Sequence, residues 1–223
     1  MTDVDQSGRG RAKRLPRHVR EKQILDAAVA VFSEHGYYAA SMDGVSDTAG
    51  VSKPMIYAYL GSKEELFAQC IRREADRIVT AVQSEVRTDV PPDMQLWHGL
   101  RAFYEFVGAH RESWNVMHRQ ALAVGGAFAD EISRVRSTGV GMVSRLVITA
   151  GSHRGLGDQV RESGEAMSVA LVGAAESLAD WWLDHPDVSP GNLASYLMNL
   201  TWLGFNDLIA GEVWRPSGGT AST

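Results

Sequence analysis

The chain has 223 residues, 44% of them hydrophobic, one cysteine and a formal charge of −5. That length suffices for one large or two small domains with a real core, and the single Cys70 excludes an intramolecular disulfide and suits a reducing compartment. No stretch approaches the ~20 apolar residues of a membrane-spanning helix, and Met1 to Arg20 lacks the apolar block of a signal peptide. A soluble cytoplasmic protein without membrane association is expected.

Residues 1 to 16, rich in Gly, Ser, Arg and Lys, have too little apolar content to fold alone and are expected to be disordered. Arg9, Arg11, Lys13 and Arg14 make this a basic arm that either follows a phosphate backbone or enters a minor groove, or else a mere solubilising tail; composition does not choose between them. From Val19 the apolar residues Ile24, Ala27, Ala28, Val31 and Phe32 form a helical stripe that His35-Gly36-Tyr37 ends. Ser41 to Gly50 reads as a short second helix, with Met42, Val45 and Ala49 at helical spacing and Gly50 as its stop.

Ser52 is placed to cap a third helix with Lys53 and Pro54 in its first turn, where the missing proline N–H has no intrahelical partner. Ile56 and Leu60 give it one narrow apolar edge, leaving Lys53, Met55, Tyr57 and Tyr59 on other faces. Two short helices joined by the tight Gly50-Val51 turn make a helix-turn-helix, whose second helix enters a DNA major groove. The competing reading, a helical hairpin inside an all-α enzyme, leaves the exposed Lys and Tyr side chains idle.

The charge distribution fits this end of the molecule. Residues 1 to 63 carry nine Lys/Arg against seven Asp/Glu, while residues 64 to 223 carry thirteen against twenty. The acidic remainder repels the duplex and favours one orientation of approach.

Lys63 to about Val86 reads as a long connecting helix through Leu66, Cys70, Ile71, Ile78 and Val82. Thr88 to Asp93 breaks it, and adjacent prolines open a helix carrying Leu96, Leu100, Phe103 and Val107. A bend at Gly108 to Arg111 leads to a shorter helix with Trp114, Met117, His118 and Ala121. Gly125-Gly126 opens a further stretch through Ile132, Val135, Val143 and Leu146, weakened by Gly139 and Gly141. Residues 159 to 184 form a long helix with a small apolar centre around Gly173, and Ser189-Pro190 opens a last one running to about Gly211. No β-alternation, internal repeat or nucleotide-binding glycine loop is present.

Candidates for catalysis are thin. His98, His110, His118, His153 and His185 are dispersed, Cys70 stands alone, and Glu176 and Asp180, four apart, read as solvated carboxylates rather than an acid/base pair. No enzyme, metal or cofactor is expected. Trp97, Phe103, Tyr104, Phe106, Trp114 and Met117, with His118, instead concentrate aromatic surface suited to a mostly apolar small-molecule pocket. Taken singly, each serves equally well as ordinary core.

From Arg20 to Phe67 the sequence resembles the TetR-type bacterial transcriptional regulators. The likeness is carried by Ile24-Leu25-Asp26-Ala27-Ala28, Phe32, Gly36-Tyr37, Ser41-Met42, Val45, Ala49-Gly50-Val51-Ser52-Lys53, Ile56-Tyr57, Tyr59 and Gly61-Ser62-Lys63-Glu64-Glu65-Leu66-Phe67. Ser46, Gly44 and Leu60 depart from the family pattern. The resemblance implies an all-α protein: a basic arm at 1–16, a helix-turn-helix domain at 17–62, a helical effector-binding and dimerisation domain at 63–214, and a flexible tail at 215–223. It implies that Arg14, Ser41, Ser52, Lys53, Tyr57, Tyr59 and Lys63 meet DNA, with Lys53, Met55 and Tyr57 nearest base edges.

The same resemblance implies a homodimer formed through the last two long helices, here with Gly173, Trp181, Trp182, Trp202 and Phe205 at the interface, and a repressor bound to a palindromic double-stranded operator. Arg14-Leu15-Pro16-Arg17, Ser52-Lys53-Pro54 and Leu171-Val172-Gly173 through Trp181-Trp182-Leu183-Asp184 are further similar to members that regulate fatty-acid synthesis and sense long-chain acyl-CoA. The effector expected is therefore hydrophobic, an acyl-CoA or a drug-like aromatic. The alternative is a DNA-binding interaction protein with no small-molecule effector.

Overall fold

The computed structural model describes residues 16–152 and 157–209, and every regular element among them is helical. In chain order these are α1 (Arg17–Ala39), α2 (Met42–Ala49), α3 (Lys53–Leu60), α4 (Lys63–Glu85) and α5 (Pro92–Ala109). A composite segment follows: α6 (Arg111–Trp114), a π-helical turn (Asn115–Gln120) and α7 (Ala121–Val124). The long helices α8 (Ala127–Ser152), α9 (Gly157–Leu183) and α10 (Pro190–Ile209) complete the order. Most of the basic arm, including Arg14, and the expected tail lie outside the described residues.

Local chemistry sets the ends of the first four helices. Gly36 takes φ 76° and ψ 161°, a backbone that breaks α1 where His35-Gly36-Tyr37 predicts it. The Ser41 hydroxyl accepts from the Gly44 N–H at 3.0 Å to cap α2. Ser62 and Glu65 form a reciprocal capping box at the start of α4. A Cβ at Gly61 would run into the Glu65 carboxylate, so glycine there is a condition of that box. Ser52 corrects the expectation: it holds the N-cap position, but its hydroxyl makes no cap bond. Its carbonyl already takes the Met55 N–H at 2.9 Å, which leaves the hydroxyl nothing to cap at that amide.

Ile24 and Phe32 of α1, Val45 of α2, Ile56 and Leu60 of α3, and Leu66 and Phe67 of α4 are buried together. Each such side chain contributes roughly 1.5–3 kcal/mol on burial. Phe67 packs edge-on against both Phe32 and Phe128, with centroids 4.9 and 5.0 Å apart, so the three-helix unit shares its core with the start of α8. A polar clasp adds to this seam. Glu74, fully buried on α4, lies 2.6 Å from both Arg73 and Arg77, and Arg73 reaches Asp26 of α1 at 2.7 Å.

In the larger domain α8 pairs with α9, α5 with α4 and α10, and α10 with α9. The Tyr104 hydroxyl donates to the Ala175 carbonyl at 3.3 Å, tying α5 to α9. A Cβ at Gly108 would lie 2.5 Å from the Trp182 ring, so this glycine lets α5 approach α9. The π turn grips α1 from the other side. Asn115 Nδ2 donates to the Ser33 carbonyl and hydroxyl, both at 3.1 Å, and Gln120 Nε2 donates to the Phe32 carbonyl at 2.7 Å. No helix among the described residues is long and apolar enough to cross a membrane.

Candidate DNA interface and ligand cavity

With Ile56 and Leu60 buried, α3 turns its first turn and Tyr57 outward, Tyr57 being 48% exposed. Lys53 Nζ sits 3.0 Å from Asp43 Oδ2, an exposed pair that holds the ammonium beside the α2–α3 turn. The Asp43 contact raises the Lys53 pKa, so the side chain stays cationic. Lys63 Nζ donates to the Tyr38 carbonyl at 3.1 Å and lies 4.9 Å from the centroid of the Tyr37 ring. Ser41, Ser52, Lys53, Tyr57 and Lys63 thus stand at the ends and outer faces of the three-helix unit. Met55 is half-buried. Tyr59 is less free than expected: its ring packs on the core, and the Arg17 guanidinium lies 5.4 Å from its centroid. Tyr38, whose carbonyl takes the Lys63 ammonium, is 78% exposed, and no local signal in the sequence separates it from the half-buried Tyr37 beside it.

A cavity of about 700 Å³ lies between α4, α5, α8 and α9. Its walls are mainly aliphatic, with Ile78, Val79, Val82 and Val86 from α4 and Ile132, Val135, Met142, Val143 and Leu146 from α8. Of the residues expected to line it, Phe103, Trp114, Met117 and His118 do so. Trp97, Tyr104 and Phe106 do not, which corrects the expectation. Phe106 is buried against His110 and Arg77, and Trp97 packs under Arg101 on the far side of α5.

The helical positions of these lining residues give the cavity a direction. Phe128, at the start of α8, touches Phe67 at the start of α4, so the two helices leave the three-helix unit side by side. The inner end is closed by buried Trp114, Met117, His118, Ile132 and Glu176. The outer end is bordered by exposed Gln83, Thr88, Arg145 and Thr149.

A charged cluster closes the inner end. Glu176 is buried, not solvated as its spacing from Asp180 implies, because Arg136 of α8 and His118 of the π turn lie over it. Its Oε2 accepts from Arg136 Nη2 and lies 3.9 Å from His118 Nε2. Burial pushes the Glu176 carboxyl up, but the His118 and Arg136 contacts outweigh it and hold the carboxyl below its ordinary value. Asp180 accepts from Trp114 Nε1 at 2.9 Å and from Arg119 Nε at 3.3 Å. The His118 ring stacks on Trp114 with centroids 4.4 Å apart. Cys70 is core: burial pushes its thiol up to about 12.

On α9 and α10, Trp181 is exposed together with Val169, Tyr196 and Leu200, the last at 74%. Among the described residues, nothing lies within 4 Å of the position a Gly173 Cβ would take. Trp182 belongs elsewhere: it is buried inside the subunit, donates its Nε1 to the Val188 carbonyl at 2.7 Å and packs under Arg111. Trp202 is half-buried against the core, and the Phe205 side chain lies outside the described residues.

A helix-turn-helix unit joined to a helical domain with an apolar cavity is the architecture of a class of DNA-binding transcriptional regulators. The chain matches the family models described as "Bacterial regulatory proteins, tetR family" over residues 24–70 and "Tetracyclin repressor-like, C-terminal domain" over residues 92–204, and it belongs to the TetR family of transcriptional regulators. It is similar to the HTH-type transcriptional activator FasR of Mycolicibacterium smegmatis, with 41% identity over 45% of this chain and 46% of that protein. The chain thus spans about half the length of FasR and, likewise, 44% of the HTH-type regulator HbdR of Aromatoleum. Among solved structures, a TetR-like regulator from Rhodococcus sp. RHA1 is 39% identical over 86% of this chain and 99% of its own, with a TM-score of 0.73. The regulator FadR of Bacillus subtilis, solved in complex with stearoyl-CoA, shares the fold at 16% identity over 85% of this chain and 98% of its own, with a TM-score of 0.68.

Proposed function

We propose that this protein binds a palindromic DNA operator as a homodimer and represses transcription under the control of a hydrophobic effector held in the cavity. The observation that carries the reading is the cavity's position: α4 leaves the helix-turn-helix unit at Lys63 and lines the cavity with its other half, through Ile78, Val79, Val82 and Val86. A ligand that favours one placement of α4 therefore favours one spacing of the two recognition helices, through different affinities for the two dimer states. The aliphatic, elongated walls favour an acyl chain over a flat aromatic drug, and the stearoyl-CoA found in the Bacillus subtilis neighbour supports an acyl-CoA as the effector class.

Lys53, Tyr57 and Lys63, with Ser41 and Ser52, contact phosphates, and Met55 and Lys53 lie nearest base edges. The test uses an operator selected from random duplexes, with affinity followed by fluorescence anisotropy while palmitoyl-CoA and stearoyl-CoA are added. A change of roughly 5- to 150-fold is expected for allosteric coupling of about 1–3 kcal/mol. Thioesters that bind the protein yet leave operator affinity untouched would remove the effector from the mechanism and leave a constitutive DNA binder.

A further inference from the structure

The cavity runs lengthwise. Lining positions on α8 recur at helical spacing from Ile132 to Ala150, so at 1.5 Å per residue the lined face extends roughly 27 Å, of which roughly 20 Å separates Arg136 from Thr149. An extended hydrocarbon advances about 1.25 Å per carbon at ordinary C–C bond lengths and angles, so a chain of about 16 carbons entering at the outer rim ends beside Arg136.

What stands there is a poor neighbour for a methyl group. Arg136 places one N–H on Glu176, while its side chain remains 47% exposed with further donors to offer. Neither ring nitrogen of the buried His118 has an aligned hydrogen-bond partner among the described residues, although Asp180 lies 3.3 Å from Nδ1. An alkyl terminus pressed into this corner strips water from the Arg136–Glu176 pair and replaces it with nothing that can hydrogen-bond. An oxygen at the chain end accepts from Arg136 and restores what the water supplied.

We infer that the inner end of the cavity is a recognition site for an oxygen function, so that the preferred effector is a long chain oxidised at its far end, such as an ω-hydroxyacyl thioester, rather than a plain saturated one. The inference rests on the acyl-chain reading of the cavity. The bulky thioester head keeps the chain oriented, with its far end innermost.

The experiment compares palmitoyl-CoA with 16-hydroxypalmitoyl-CoA by isothermal titration calorimetry, on the native sequence and on Arg136→Met and Arg136→Lys. Binding of the hydroxylated probe should be tighter by about tenfold or more, as expected for a hydrogen bond to a charged group. Arg136→Met should erase that preference and Arg136→Lys should keep part of it, with palmitoyl-CoA affinity unchanged or improved in Arg136→Met. Equal binding of the two probes to the native protein overturns the oxygen site and leaves the acyl-chain cavity standing. Binding of neither probe overturns both.

Discussion

At the scale of single residues, burial and partnership decide what each polar side chain is. Glu176 and Asp180 share a spacing that reads as a wet helix face, yet one is packed under Arg136 and His118 and the other accepts from Trp114. The sequence does not show which neighbouring helix will cover that face, because covering is a tertiary event. The pH dependence has a definite sign. The folded Glu176 carboxyl sits below its ordinary value of 4.5, so it stabilises the fold fully above that value and loses its contribution as pH falls through the lower, folded one. Urea unfolding of the native protein and Glu176→Gln should therefore show a stability gap that is constant from pH 7 to 6 and closes below about pH 4.5. A gap that stays constant down to pH 3.5 would mean the carboxylate is not what the site needs. Cys70 illustrates the opposite outcome: it stands alone in the sequence, and in the fold it is plain core, buried with its pKa raised to about 12.

At the scale of elements, helix ends and helix identities were readable where local chemistry decides them. Gly36, Gly50, Ser41 and the Ser62–Glu65 box mark ends through short-range geometry that the residues themselves carry. Pocket membership was readable only in part. Phe103, Trp114 and Met117 reach the cavity, but Trp97 and Phe106 turn away from it, and most of the wall is aliphatic. Val79 or Val143 on an amphipathic stripe looks the same whether it faces packed core or a hollow. The clasp at Glu74 was likewise hidden, because a charged residue within a helical run reads as solvated until α1 closes over it. Glu74→Ala leaves Arg73 and Arg77 facing one another at the α1–α4 seam. Removing one partner of a buried pair costs about 3–5 kcal/mol, and since Arg77 partly reaches solvent the loss should fall near the low end, about 3 kcal/mol, in a chemical denaturation series. A loss below 0.5 kcal/mol would show that the clasp contributes no more than a surface pair.

At the scale of the whole molecule, the family resemblance supplies an expectation that periodicity alone does not, a pairing of two chains through α9 and α10. The exposed Val169, Trp181, Tyr196 and Leu200 fit that proposal, and Trp182 is withdrawn from it because its ring is spent inside the subunit. Gly173 makes a sharp probe, since among the described residues nothing lies within 4 Å of the first atom of a side chain placed there. Gly173→Trp should leave the helical content intact while shifting sedimentation toward monomer, and operator affinity should fall with it. A variant that stays dimeric would move the seam to another face.

The π turn at Asn115–Gln120 places Met117 and His118 on the cavity while Asn115 and Gln120 hold α1. In such a turn each N–H reaches back five residues rather than four, so the segment stores one residue more than an α-helix of the same span. Returning it to α-helical winding displaces that whole residue and swings everything beyond it by about 100°. Winding of this kind has no half-step. For the piece of chain between cavity and DNA-binding unit, any change of winding is therefore a step of one full residue and not a graded twist.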